Sequence, residues 1–265
     1  MWIIGERINP TGKPELISAI TAKDRAFIQN EARRQDEAGA CALDVNVGIP
    51  QINRIEAMRF VVQSIREVST LPLVIDDQDP EVIEAALDYV GNGSVINAPI
   101  DSQKDSTHFF ELAKMFQAEM LILPLKNGGL PQSVSEHVET AALVLKCLEH
   151  HGISKERIMI DAILFPLKKA KEKTLEALDR IKRLKTDLGV RTVIGLSNIS
   201  FGLPNRQVLN AGFLRLAQAA GLDSVICDPL QEQVMKIAKG SEEGDSLSDQ
   251  KSFLELAETS WASSK

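Results

Sequence analysis

Residues 41–97 decide the fold, because CALDVNV (41–47), PLVID (72–76) and GSVIN (93–97) are short β-branched runs separated by helical segments. The segments between them space their apolar residues three and four apart, as an amphipathic helix does. Strands that alternate with helices in this way form a parallel sheet with right-handed crossovers. This stretch therefore predicts consecutive strand–helix units.

The same alternation continues on both sides of this stretch. Further strand candidates are WIIG (2–5), EMLILPL (119–125), IMIDAI (158–163), TVIGLSN (192–198) and SVICD (224–228). Eight such units in 265 residues match a closed barrel, which typically needs about 250 residues. No GxGxxG or GxxxxGK[ST] motif follows any of these runs, which disfavours dinucleotide and P-loop folds. The sequence predicts an α/β protein with a single (β/α)₈ TIM barrel.

We expect the barrel to occupy residues 1–240 and a C-terminal tail to occupy 241–265. The tail begins with a segment rich in Ser, Glu, Asp and Gly, which is typical of a loop. It continues with apolar residues that share one face of a helix. These residues are Phe253, Leu256, Ala257 and Trp261. The pattern predicts a loop followed by a docking helix.

The composition is that of an ordinary globular protein, with 44% hydrophobic and 25% charged residues. A formal charge of -7 disfavours binding to nucleic acids or anionic membranes. No apolar run approaches the roughly 18 residues of a membrane span, so we expect a cytoplasmic location. Three cysteines without a CxxC pair and four histidines without HExxH spacing predict no protein-bound metal.

Reactive groups of this fold lie at the carboxyl ends of the strands, where the loops surround the open mouth. Polar residues that end apolar strands are therefore candidates. They are Glu6, Asn9, Asp44, Asn46, Asp76, Asp77, Asn97, Asp161, Ser197, Asn198 and Asp228.

Side-chain alternation refines this choice in the second strand. Leu43, Val45 and Val47 suit the helix layer, which turns Ala42, Asp44 and Asn46 into the barrel. An inward carboxylate is costly unless it is hydrogen-bonded or meets a ligand.

Each single Asp or Asn can equally cap a helix or brace a loop. We expect this structural role for Asp77, Asp79 and Asn205, and favour Asp76, Asn97, Asp161 and Asn198 as site residues. A mouth lined by amides and carboxylates suits a nitrogen heterocycle, because it can accept and donate paired hydrogen bonds. A pterin fits this description, and so does a purine.

Several motifs carry a family resemblance. They are IGERIN (4–9), LDVNVG (43–48), VID (74–76), INA (96–98), MIDAI (159–163), and GLSNIS (195–200) followed by NR (205–206). Together they resemble the pterin-binding methyltransferase family, which includes methyltetrahydrofolate:corrinoid protein methyltransferases and the folate module of cobalamin-dependent methionine synthase. The resemblance covers about residues 2–238.

The resemblance implies a barrel that moves a methyl group between N5 of tetrahydrofolate and the cobalt of a corrinoid. By residue matching, Asp76, Asn97 and Asp161 anchor the pterin, Asn198 hydrogen-bonds near N5, and Arg206 supports the Asn198 loop. The supporting positions are Glu6, Asn9, Asp44, Asn46 and Ser197.

No corrinoid-binding DxHxxG segment is present, and the only DxxH is Asp105–His108. The corrinoid is therefore expected on a separate protein that docks transiently, and we also expect a homodimer. The lysines 168, 169, 171 and 173 follow Asp161 and can attract a folate glutamate tail or an acidic partner. A solvated helix face paired with Glu172 and Glu176 is the favoured interpretation.

Two other functions stay open at this point. A dihydropteroate synthase shares the fold and the pterin pocket, but the INPTGKPEL loop (8–16) lacks that family's first-strand pattern. A non-catalytic folate-binding or regulatory barrel is the other alternative. The direction of methyl transfer is also open, since the chemistry runs either way.

Overall fold

The computed structural model describes residues 1–240, 251–255 and 258. Within these residues, eight parallel strands close into a barrel in sequence order. The closing pair joins the first strand to the last, from Trp2 opposite Ser224 to Gly5 opposite Cys227. The strands are β1 Trp2–Ile8, β2 Ala42–Val45, β3 Leu73–Asp76, β4 Val95–Asp101, β5 Glu119–Leu125, β6 Ile158–Asp161, β7 Arg191–Gly195 and β8 Ser224–Cys227. The predicted TIM barrel is confirmed.

Helices cover the outside of the barrel and connect its strands. They are α1 Pro14–Thr21, α2 Arg25–Glu37, α3 Arg54–Arg66, α4 Pro80–Val90, α5 Thr107–Met115, α6 Val134–His150, α7 Lys171–Arg183, α8 Arg206–Ala219 and α9 Glu232–Ala238. None of the described helices is both long and apolar enough to cross a membrane.

Short polar side chains fix the helix starts. The Asp79 carboxylate accepts the Glu81 amide at 3.1 Å and caps α4, where Pro80 takes the first helical position. The Asp77 carboxylate accepts the Asp79 amide at 2.9 Å. These two aspartates therefore have the structural role that the sequence predicts. Asn205 precedes α8 in a left-handed conformation, at φ 54°, and its side chain makes no capping bond.

The seventh strand differs from its prediction. Its extended region ends at Gly195, and Leu196–Asn198 form a short 3₁₀-helix in place of the predicted strand end. The backbone amide of Ile199 donates to the Leu196 carbonyl at 3.2 Å, as this tighter helix requires. This turn lifts Asn198 out of the sheet and onto the rim of the barrel.

Most of the core lies between the strands and the helices, and Leu43, Val45 and Val47 all belong to it, as alternation in β2 predicts. Gly5 has a packing reason to be glycine. A Cβ there would stand 2.3 Å from Oε1 of the buried Gln35, which accepts the Arg7 amide at 3.0 Å.

The described part of the C-terminal tail contacts the barrel. Residues 251–255 are helical, and the fully buried ring of Phe253 packs 5.8 Å from that of Phe213 on α8. The predicted loop at 241–248 lies outside the described residues, and so do Leu256, Ala257 and Trp261. The domain boundary at residue 240 stays a prediction.

Candidate active site

The barrel interior consists of two layers of opposite character. The lower layer is an apolar cluster that fills the base of the barrel. It consists of Ile4, Ala42, Val74, Val95, Leu121, Met159 and Val193. Two residues further along each strand the same face presents the second layer, because side chains alternate with a period of two. The second layer consists of Glu6, Asp44, Asp76, Asn97, Leu123, Asp161 and Gly195.

The second layer forms the floor of a cavity of about 420 Å³ at the carboxyl ends of the strands. Residues from the strands, the loops after them and the start of α8 complete its walls. They are Asn9, Thr11, Gly12, Lys13, Pro99, Ser197, Asn198, Phe201, Arg206 and Ile226. This mouth is where TIM barrels carry their reactive groups. It concentrates acids and amides above an apolar plug that closes the barrel below.

Two amides bind the carboxylates of β2 and β3. The Asn9 amide nitrogen donates to Asp44 Oδ2 at 3.1 Å and lies 3.4 Å from Asp76 Oδ2. The Asn46 amide nitrogen donates to the same Asp76 oxygen at 3.0 Å and to the Asp76 carbonyl at 3.1 Å. Asp44 Oδ1 is buried and has no hydrogen-bond partner among the described residues. Such an acceptor is costly to leave unpaired, so this corner favours a ligand with N–H donors.

Burial controls the charge of this pair. It raises the pKa of Asp44 well above its usual value, and the neighbouring Asp76 carboxylate raises it further. The pKa of Asp76 is raised to about 6, also mainly by burial, while the Asn46 hydrogen bond opposes the rise. Two close, buried carboxylates disfavour a double negative charge. The pair therefore holds a proton more strongly than exposed acids do.

Asp161 forms the opposite side of the floor. Its Oδ1 accepts the Ile163 amide at 2.8 Å, and Ile163 adopts a left-handed conformation with φ 56°, which is unusual for a β-branched residue. The fully buried Arg180 guanidinium lies below and donates to the Ile163 carbonyl at 3.3 Å. Burial raises the pKa of Asp161 to about 6, and the Ile163 amide and the Arg180 charge oppose the rise.

Asn97 lies on β4 directly opposite Asp76 of β3 in the barrel register and lines the same cavity. This register places an amide that can both donate and accept next to an acid. Asp76, Asn97 and Asp161, which the sequence picks as the pterin anchors, therefore share one floor.

The rim carries Asn198 and its supports. The Asn198 side chain is exposed, and none of the described residues hydrogen-bonds to its amide group. Its Nδ2 would lie only 3.1 Å from a Cβ at position 195, so glycine there leaves space for this amide. Arg206 fixes the loop by donating to the Ser197 carbonyl and to Ser200 Oγ, both at 3.1 Å.

Glu6 connects β1 to this loop. The Ser197 hydroxyl donates to Glu6 Oε1 at 2.6 Å, and burial raises the pKa of Glu6. The loop that carries Asn198 is therefore held from two sides, by Glu6 below and by Arg206 above.

The structure brings the sequence-predicted residues together. Those that line the cavity are Glu6, Asn9, Asp44, Asp76, Asn97, Asp161, Ser197, Asn198 and Arg206. Asn46, which follows the end of β2, binds Asp76 but does not line the cavity. Asp228 instead accepts Arg7 at 3.1 Å and the Leu230 amide at 3.0 Å, outside this cavity. The roles of these residues in binding and catalysis stay predictions.

Lys13 and Phe201 are among the cavity residues that the sequence does not single out. The Lys13 ammonium group donates to the carbonyls of Glu6 and Asn9, each at 3.0 Å, and burial lowers its pKa. The lysine follows the loop after β1, but no strand end marks it. Phe201 is half exposed at the rim, and its spacing of three from Asn198 is the only sequence signal for it.

The lysine run has mixed partners. Lys171 pairs with Glu258 at 2.6 Å, and the Lys173 ammonium lies 5.8 Å from the centre of the Phe165 ring. Glu176, expected to pair with these lysines, instead binds Arg180 at 2.7 Å. Lys168 is exposed, and its ammonium lies 3.4 Å from the carbonyl of Gly202 at the rim. Lys168 does not line the cavity, but it contacts the loop that carries Phe201.

Neither a metal site nor a corrinoid motif is assembled here. Among the described residues, no group of three or more His, Cys, Asp or Glu side chains is placed to hold a metal ion. The Asp105–His108 segment instead begins α5, where Asp105 Oδ1 accepts the Thr107 amide at 2.9 Å.

Known proteins resemble this chain in sequence. A methylcorrinoid:tetrahydrofolate methyltransferase from Eubacterium limosum is 30% identical over 243 residues, which cover 89% of this chain and 88% of that protein. A methionine synthase from Mycobacterium leprae (strain TN) is 34% identical over 237 residues, or 84% of this chain. The matched region is only 20% of the length of that synthase.

Solved structures share the fold. A dihydropteroate synthase from Xanthomonas albilineans, in complex with 7,8-dihydropteroate, superposes with a TM-score of 0.69 at 20% identity, over 92% of this chain and 94% of that one. A Yersinia pestis dihydropteroate synthase in a sulfonamide drug complex gives 0.69 at 16% identity, over 91% of this chain and 93% of that one. A family described as pterin binding enzyme matches residues 5–228, a span that contains every strand end of the cavity described above. The chain therefore belongs to the pterin binding enzyme family.

Proposed function

We propose that this protein is a methyltransferase that moves a methyl group between N5 of tetrahydrofolate and the cobalt of a corrinoid carried by a separate protein. The observation that carries the proposal is the exposed Asn198 amide on the rim, directly beside a floor of acids and amides. The name and the 30% identity of the Eubacterium limosum relative support this chemistry.

The floor suits a pterin. A pterin presents its 2-amino group and N3–H as adjacent donors, and its carbonyl and ring nitrogens as acceptors. Asp76 and Asp161 both line the cavity and can accept such donors, and Asn97 serves either role. Asp44 adds a buried oxygen that lacks a partner among the described residues. Asn9 and Asn46 hold the carboxylates in place and leave their other oxygens for the ligand.

Asn198 is assigned to N5. An amine is a poor leaving group unless it is protonated or strongly hydrogen-bonded, so the transition state needs a polar group at this nitrogen. The Asn198 amide is exposed to the cavity and stays available because Arg206 and Ser197 hold its loop by other atoms. An amide side chain does not release a proton at neutral pH, so its role is hydrogen-bond stabilisation.

The corrinoid supplies the cobalt that exchanges the methyl group when its carrier protein docks. This chain contributes the binding of the folate, its orientation and the open mouth. The name of the Eubacterium limosum relative supports transfer toward tetrahydrofolate. Assays in both directions, with methylcobalamin plus tetrahydrofolate and with cob(I)alamin plus methyltetrahydrofolate, measure the preference. The homodimer and the cytoplasmic location stay predictions.

Single-turnover methyl transfer to free cob(I)alamin, followed by absorbance, tests the assignment. We expect Asn198→Ala to lower the rate by about 10²-fold or more, as removal of one transition-state donor does, while the Kd for methyltetrahydrofolate changes much less. Asn92→Ala, which removes an exposed amide between α4 and β4, is the matched control.

An unchanged transfer rate in the Asn198 variant would contradict the assignment of this residue. Folate binding by the wild-type protein without methyl exchange in either direction would instead support a non-catalytic folate-binding barrel. Formation of dihydropteroate from 4-aminobenzoate and a pterin diphosphate would support a synthase.

A further inference from the structure

The strongest feature left unexplained is an exposed phenylalanine at the mouth of the site. Among the described residues, the exposed large hydrophobic side chains are Met1, Tyr89, Met115, Leu143 and Phe201. Phe201 alone among them lines the cavity. Single exposed apolar residues are common on protein surfaces, but this ring also lines the cavity, where it can contact a bound ligand.

The local backbone directs Phe201 to the same side as Asn198. The Phe201 amide donates to the Asn198 carbonyl at 3.2 Å, which continues the three-residue spacing of the preceding 3₁₀-helix. Residues three apart in this geometry lie above one another. The other side of the turn is buried, since Leu196 and Ile199 are fully inaccessible. Asn198 and Phe201 are therefore neighbours on the face that opens to the cavity.

A positive charge lies at the residue that follows this ring. Lys168 is exposed, and its ammonium group lies 3.4 Å from the carbonyl of Gly202, the residue after Phe201. The two loops are joined by the Leu167 amide, which donates to the Ile199 carbonyl at 3.0 Å. The rim thus presents an aromatic ring followed by an ammonium group, whereas the floor presents acids and amides.

We propose that Phe201 and Lys168 form a rim subsite for the arylamine-glutamate portion of the folate. This inference rests on the proposed function, because it takes Asn198 as the residue at N5. In the pterin, N5 is bonded to C6, and C6 carries the methylene-linked aminobenzoyl ring. With N5 at Asn198, the substituent on C6 extends past the adjacent residue on the rim, which is Phe201. The carboxylates beyond the ring then reach Lys168.

Binding measurements with truncated ligands test the subsite. We expect Phe201→Ala to weaken tetrahydropteroylglutamate and tetrahydropteroate by roughly three- to tenfold, as loss of one aromatic pair predicts. 6-Methyltetrahydropterin, which lacks the aryl ring, should bind within about twofold of wild type. Phe201→Tyr should restore binding, and Tyr89→Ala is the control for loss of an exposed ring far from the mouth.

Lys168 is tested by the same ligands. Lys168→Ala should weaken tetrahydropteroylglutamate by roughly threefold at low salt and leave 6-methyltetrahydropterin unchanged, because only the first carries carboxylates. Lys169→Ala, the adjacent exposed lysine, is the matched control and should change neither ligand.

Three results would overturn the proposal. Equal weakening of 6-methyltetrahydropterin by Phe201→Ala would mean that the ring acts on the floor. Unchanged folate affinity with slower transfer to cob(I)alamin would make Phe201 a corrinoid contact. Unchanged affinity and rate would leave the ring without a role. Failure of the wild-type protein to bind any of these pterins would instead refute the proposed function itself.

Discussion

The two layers of the barrel interior differ although they share strands, side-chain direction and distance from the barrel axis. The lower layer, from Ile4 to Val193, is apolar and closely packed, whereas the upper layer replaces most of these positions with acids and amides. The step between layers is two residues on each of the strands β1 to β7. In β3, for example, Val74 belongs to the plug and Asp76 belongs to the floor.

This difference separates stability from function within one fold. Apolar side chains in the lower layer stabilise the folded state, because folding removes their surface from water. Buried carboxylates in the upper layer lose hydration, which is why the pKa values of Asp76 and Asp161 rise to about 6. The lost hydration destabilises the folded protein, but it leaves carboxylates at the mouth that can hydrogen-bond to a ligand. The layers should therefore respond differently to the same substitutions.

The largest expected contrast lies on β5, which carries leucine in both layers. Leu121 is buried in the plug, and Leu123 lies two residues later at the cavity wall. Leu121→Ala should lower the free energy of unfolding by about 2–5 kcal/mol, because it removes packed methyl groups and leaves a cavity. Leu123→Ala should cost less than about half as much, since its side chain already faces open space. Urea unfolding of both variants measures this difference.

The two variants are controls for each other, as they change the same residue type on one strand. Equal losses of stability would mean that the plug and the mouth are packed alike. In that case the division into two layers would describe polarity alone.

Much of this arrangement could be predicted from the sequence, because it depends on local periodicity. Alternation in β2 places Ala42 in the plug and Asp44 in the floor, as the structure confirms. The strand-end rule also brings Asp76, Asn97 and Asp161 to one cavity. These predictions succeed because the closed parallel barrel gives every strand end the same position.

Features that depend on contacts between distant segments could not be predicted in this way. The turn at Leu196–Asn198 interrupts the alternation of β7, so the strand-end rule selects Asn198 but does not predict its position on the rim. Arg180 lies in a charged helix and has an i, i+4 partner, which is typical of a solvated face, yet it is fully buried beneath the Ile163 carbonyl. Such burial is set by the loop after β6, and no pattern within α7 indicates it.

The second contrast concerns the response of the floor to pH. The folded-state pKa of Asp161 is raised to about 6, so the folded protein binds this proton more tightly than the unfolded chain. The stabilising contribution of Asp161 is then present at about pH 4 and is lost as the pH rises through 6. Asparagine has no such titration. The stability of Asp161→Asn relative to wild type should therefore increase with pH, by on the order of 2–3 kcal/mol.

Urea unfolding of both proteins without ligand, at intervals from about pH 4 to pH 7.5, measures this trend. Asp88→Asn is the control, since the exposed Asp88 carboxylate on α4 is hydrated in both states. A stability difference between Asp161→Asn and wild type that stays constant with pH would contradict this prediction. It would show that Asp161 binds its proton no more tightly in the folded protein than in the unfolded chain.

The smallest expected effect lies where the floor meets the rim, at the bond from Ser197 Oγ to Glu6 Oε1. Ser197→Ala removes the hydrogen bond that opposes the rise in the Glu6 pKa, so this pKa should move further up. The free energy of unfolding at neutral pH should fall by roughly 1 kcal/mol. Because Arg206 binds the Ser197 backbone carbonyl, the loop should keep its position in the variant.

Titration of the Glu6 carboxyl by NMR, in the wild type and in Ser197→Ala, measures the change in the Glu6 pKa separately from the loss of stability. A shift of the Glu6 pKa without loss of methyl transfer would show that Ser197 only supports the floor. A parallel loss of methyl transfer would show that Ser197, on the rim, also contributes to the function of the upper layer.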